Sequence, residues 1–168
     1  WQENYPSEVK AVVGLDWAFP ESYAHLKRHP QMLRLARWGS QLGLLRLLPR
    51  QLYMPNENLS DSERRIYQEI AYRQLLSQAM LNESLCVKEN AKKVNSVGIK
   101  SQIPVLLMVS NGKGTGFSQE QWRHYATSFA KDQENVELAF YDAPHYFYHY
   151  QTKEVIRSIE DFIQETTD

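Results

Sequence analysis

Ile103-Pro104-Val105-Leu106-Leu107-Met108-Val109 is the stretch that decides the fold. It is an almost unbroken apolar run, too short for a buried helix. A strand covered on both faces has this composition, because neither side meets water. Pro104 is tolerable only near the start of such a strand, since it cannot donate to a ladder. The run ends in Asn111-Gly112-Lys113-Gly114-Thr115-Gly116, which reads as a tight loop. Ser118 and Gln121 then form a capping box, and Trp122, Tyr125, Ala126 and Phe129 make a helical stripe. Val136-Glu137-Leu138-Ala139-Phe140 is the next strand, and Asp142-Ala143-Pro144-His145 a turn after it. Val155, Ile156, Ile159, Phe162 and Ile163 mark a last amphipathic helix.

Upstream of residue 103 the pattern changes. Val9-Lys10-Ala11-Val12-Val13-Gly14-Leu15 is a valine-rich strand that stops at Asp16. Residues 21–97 show helical spacing and no convincing strand. Two short helices are expected between Met32 and Pro49, and Gln51 to Leu59 reads as a loop. A helix opens at Ser60 with Glu63 three residues on, and another is expected from about Ser84 to Val94, with Gly98 as its terminator. The order is strand, helical block, strand, helix, strand, helix, which predicts a parallel α/β sheet. Three parallel strands leave edges that a whole protein would complete or shield. The expected division is a core from residues 1–20 and 98–168, with 21–97 inserted as an all-helical block.

The chain has 168 residues, enough for one domain with a real core. Its 19 basic and 20 acidic residues give a net charge of -1, and so no reason to expect nucleic acid or an anionic membrane as partner. A single cysteine, Cys86, excludes an intrachain disulfide and a thiolate zinc cluster. The longest greasy stretch, Met32 to Leu48, is broken by Arg34, Arg37 and Arg46, so no membrane span is expected. The opening residues do not form a signal peptide, and the cytoplasm is the default location.

The order of these motifs resembles the second half of the α/β-hydrolase superfamily, over nearly the whole chain. Val12-Val13-Gly14-Leu15-Asp16 is similar to that fold's sixth strand, and residues 21–97 to its helical lid. Ile103 to Val109 resembles the seventh strand, and the His145 turn the loop that carries the family's catalytic histidine. The resemblance implies a serine-type hydrolase acting on an ester, amide or related acyl substrate, without a cofactor. His145 would be the base. The loop after the seventh strand, where the family usually keeps its acid, has no Asp or Glu, so the resemblance points to Asp16. The family's G-x-S-x-G nucleophile elbow is absent. The implied nucleophile therefore lies upstream, in a missing N-terminal half or a second chain that also covers the sheet edge. This chain alone is expected to be inactive. A non-catalytic hydrolase-like module that binds a ligand or protein is the rival. A dehalogenase or epoxide hydrolase with an upstream aspartate nucleophile is a third reading.

Each candidate also has a plainer role. An imidazole ordinarily changes charge between pH 5 and 8, which suits proton transfer, but His145 could be a hydrogen-bonded loop residue. Asp16 could order the exit from its strand through backbone amides, and Asp142 could shape its turn. Trp17, Phe19, Trp38 and Tyr146 could line an apolar substrate site, or could simply pack. The glycine loop fits neither G-x-x-x-x-G-K-[ST] nor G-x-G-x-x-G. His25 and His29 are four apart, but Leu26 stands where a zinc motif needs glutamate and Pro30 disrupts the helix. No metal is expected.

Overall fold

The computed structural model describes residues 1–2, 4–25, 29–48, 59–97, 102–131 and 133–167. Three strands, β1 (Val12–Leu15), β2 (Val105–Val109) and β3 (Val136–Phe140), form one parallel sheet in the order β1-β2-β3. The helices are α1 (Pro20–His25), α2 (Pro30–Gln41), α3 (Asp61–Gln74), α4 (Gln78–Val97), α5 (Gln119–Ala130) and α6 (Thr152–Thr167). The chain divides into two units. One holds residues 1–25 and 91–168, and the other residues 26–90. Thus α1 and the last turns of α4 fall with the sheet, where the sequence placed them in the helical block.

In the sheet unit, β2 is buried along its whole length, as its apolar run requires. Val105, Leu107 and Val109 point to one face, against Phe19 and the α5 residues Trp122, Tyr125 and Ala126. Leu106 and Met108 point to the other, against Tyr141, Phe147 and the α6 residues Val155 and Phe162. The alternation of a strand thus divides one run of residues between two cores. β1 begins three residues later than its valine-rich run. Its ladder opens with the Val12 N–H donating to the Pro104 carbonyl, and Pro104 has no N–H to carry pairing further back. A Cβ at Gly14 would lie 2.8 Å from Leu107 Cδ2 and 2.9 Å from Trp17, so the small residue permits close packing there.

The helical unit is held differently. The expected capping box opens α3: the Ser60 side chain accepts from the Glu63 amide, and Glu63 returns the bond. In place of two short helices before Pro49 there is one of 12 residues, α2, followed by a 3-10 turn at Leu44–Leu47. α4 is longer than the Ser84–Val94 expectation, and Gly98 and the loop from Gln51 lie outside the described residues. Between α3 and α4, Leu76 adopts φ 58°, an uncommon conformation for leucine. Its carbonyl accepts from Arg37 (2.9 Å), and the neighbouring Leu75 carbonyl from the Ser40 hydroxyl (2.9 Å). Arg46 lies over the Tyr72 ring at 5.6 Å. No helix among the described residues is long and apolar enough to cross a membrane.

These packing differences predict unequal mutational costs. Leu107→Ala, at a side chain 1% exposed, should destabilise the chain by about 2–5 kcal/mol. Leu35→Ala, at a side chain 73% exposed, should change stability by no more than about 0.5 kcal/mol. Urea midpoints of the two variants check both values.

Candidate functional site

The carboxyl ends of the three strands bring Asp16 and His145 together across 129 residues of sequence. Asp16 follows the last residue of β1, and its amide still donates to the Met108 carbonyl of β2 at 2.8 Å. There the chain turns off the sheet with φ 49°, a left-handed conformation that aspartate tolerates better than most residues. The turn leaves the carboxylate facing the end of β2, and the residue is 2% exposed.

Both carboxylate oxygens are used. Oδ1 accepts from the Ser110 amide at 2.8 Å and from the Trp122 indole Nε1–H at 2.7 Å. Oδ2 lies 2.5 Å from His145 Nδ1. Burial alone would push the Asp16 carboxyl upward, but the donors from His145, Trp122 and Ser110 together outweigh it. The group is held below its ordinary value of 3.8. It is therefore a carboxylate at neutral pH and can only accept, which places the proton on Nδ1 of the imidazole. Nε2 then carries the lone pair of the neutral ring. It has no partner among the described residues, and the His145 side chain is 33% exposed.

The backbone of His145 is fixed by the glycine loop, its amide donating to the Lys113 carbonyl at 2.9 Å. The turn before it is pinned by the Asn111 amide on the Ala143 carbonyl at 2.9 Å. Glycine is needed at two places in that loop. Gly112 has φ 80°, and a Cβ there would sit 3.0 Å from Trp122 Cβ. Gly114 has φ 97° and lies against His145. The loop thus shapes the site mechanically.

The remaining expected residues separate. Tyr146 is partly exposed, and its ring lies 4.8 Å from that of His145. Phe19 is buried, packed on Trp122 and Phe129. Trp17 packs edge-on against Phe129 at 5.7 Å, in the same core. Trp38 is exposed on α2, in the other unit. The Asn111 side chain accepts from the Lys113 amide within its own loop. Asp142 is exposed. His25 ends α1 and stacks on Tyr125, whereas His29 precedes α2, so the two do not share a helix face. Among the described residues no group of three His, Cys, Asp or Glu side chains is placed to hold a metal. A shallow cleft lined by Phe19, Pro20, Glu21, Tyr125, Ser128 and Phe129 includes neither Asp16 nor His145.

The sequence reading missed Ser110 and Trp122 as partners of Asp16. The local signals were a serine at the first polar position after a buried strand and an indole N–H on the buried face of a helix. Removing the carboxylate should be costly. Asp16→Ala leaves two buried donors without an acceptor, at about 1–3 kcal/mol each. Because the folded-state value is depressed, the stabilisation from ionised Asp16 is complete above 3.8 and is lost as pH falls below it. Urea midpoints of wild type and Asp16→Ala should differ clearly near neutrality, and the gap should narrow as pH falls below 3.8.

Comparison with known proteins adds a limited context. No family model matches the chain, and no solved structure matches it. The chain is similar to the uncharacterized protein YbdG of Bacillus subtilis (strain 168), at 26% identity over 181 residues, covering 98% of this chain and 53% of that protein. It therefore spans about half the length of that relative.

Proposed function

We propose that this chain supplies the histidine and the acid of a serine-type α/β-hydrolase acting on an ester, amide or related acyl substrate. The observation that carries the reading is the His145–Asp16 pair, with Nδ1 on a buried carboxylate and the ring partly open to solvent. In that arrangement Nε2 takes the proton of a hydroxyl nucleophile as it attacks the acyl carbon. The imidazolium formed is stabilised by Asp16, and Nε2 then returns the proton to the leaving group. Asp16 needs no protonation at any step. It holds the tautomer and the ring plane.

The nucleophile belongs elsewhere. Ser110 donates its amide to Asp16, but it is fully buried and its Oγ accepts from the Gly112 amide. A longer polypeptide, like the relative almost twice this length, has room for the attacking group and for oxyanion donors. The sheet offers a place for that material. The Val12 and Asp16 amides donate to β2, so by the alternation of a parallel ladder Val13 and Leu15 direct theirs to the outer edge. No described strand pairs with that edge. Apolar residues on both faces of β1 suit a strand with neighbours on either side.

A panel of p-nitrophenyl esters tests the reading on the longest natural polypeptide that carries this chain. Turnover should fall by about 10²–10⁴-fold in His145→Ala, and residues 1–168 alone should be inactive. Equal turnover in wild type and variant would remove His145 as the base. A long polypeptide that is inert towards acyl substrates but binds a protein or ligand would favour a non-catalytic module.

A further inference from the structure

Trp122 has two features that a core-filling residue does not need together. Its indole is immobilised, and its one polar atom is spent on Asp16. The immobilisation is built from the sequence upward. The capping box of Ser118 and Gln121 fixes the first turn of α5, and the Trp122 amide donates to the Ser118 carbonyl at 2.9 Å. The indole then meets Phe117, nearly parallel at 5.8 Å, and Phe19, edge-on at 5.4 Å. A side chain at Gly112 would press on Trp122 Cβ at 3.0 Å, so the glycine lets the loop pack close there. A ring held between two aromatic neighbours presents Nε1–H in one direction, and that direction ends on Asp16 Oδ1 at 2.7 Å.

The consequence lies in how the two oxygens are divided. With Trp122 and the Ser110 amide both on Oδ1, the carboxylate cannot rotate to offer that oxygen to the imidazole. Oδ2 is left for His145 alone. Ser110, just beyond β2, contributes its backbone amide, and its side chain also helps to keep Asp16 ionised. The Trp122 donor can be removed without touching either. Without it, Oδ1 would carry more uncompensated charge, and the carboxylate would be free to tilt about its remaining bond.

We infer that Trp122 is a positioning residue, which locks the Asp16 carboxylate through Oδ1 so that Oδ2 holds the Nδ1–H of His145 in a fixed line. This rests on the hydrolase reading only for its use in catalysis. The locking itself is a property of the pair and can be read without turnover.

The test is proton NMR of the 168-residue chain, following the downfield His145 Nδ1–H resonance and its exchange with water. The variants are Trp122→Phe and replacement of the Trp122 indole by its benzothiophene isostere, which keeps the ring shape and removes only the N–H. Loss of the donor should move the resonance and speed its exchange about tenfold in both variants, with the β2 amide signals preserved. An unchanged resonance in the benzothiophene protein would overturn the inference, and would leave Trp122 as packing only. Should Trp122→Phe fail to fold, the isostere alone decides. A shifted resonance in a polypeptide inert towards esters would keep the lock and defeat the hydrolase reading. An unshifted one in an active polypeptide would do the reverse.

Discussion

The buried carboxylate of Asp16 is the constraint on which the sheet's carboxyl edge depends. It takes donors from the end of β2, from α5 and from the turn after β3, so one side chain ties four parts of the chain to a single point. A carboxylate so far out of water would be unfavourable alone, and its desolvation is the largest influence on its ionisation. The donors more than offset it. Each of them is held in place: an amide just beyond β2, a packed indole, and a histidine whose own backbone is anchored to the glycine loop. The site is therefore preorganised, and little needs to move for the imidazole to present Nε2.

The two cores follow from the same sheet. β2 is the shared wall, α5 closes one face and α6 the other, and the ends of the strands are left to carry chemistry. This is the usual consequence of a parallel sheet with helices on both sides, where loops at the carboxyl ends converge on one rim. Among its described residues the helical unit has no such wall. Leu45 and Leu81 are buried there, but Met32, Leu35, Trp38 and Leu42 on or just after α2 are exposed.

How much of this was legible depended on whether the signal was local. β3 matches its run residue for residue, and β2 could be read from continuous apolarity, because both of its faces impose the same demand on every position. The capping boxes at Ser60 and Ser118 are contiguous patterns and were readable for the same reason. The start of α4 was not: it follows from the left-handed turn at Leu76 and from Ser77 Oγ accepting the Met80 amide at 3.3 Å, in a stretch with no glycine to announce a break. The pairing of Asp16 with His145 was an expectation that the family resemblance implied. Trp122 could not be assigned to Asp16 at all, because 106 residues separate them and only the pairing of β1 beside β2, with α5 packed on the sheet, brings the indole to the carboxylate. That Phe19 is buried in the core was not legible for a related reason. An aromatic just after a strand looks the same in sequence whether it lines a site or seals the core.

The tautomer of the neutral imidazole is the most direct witness to the central pair. Nitrogen-15 NMR of a histidine-labelled chain at mildly alkaline pH distinguishes a protonated Nδ1 from a protonated Nε2. With Asp16 ionised and accepting, His145 should show the proton on Nδ1 and a bare Nε2. A ring that carries its proton on Nε2, or that exchanges freely between the two forms as an exposed loop histidine does, would mean that the carboxylate does not hold it, and the base assigned to this site would be lost.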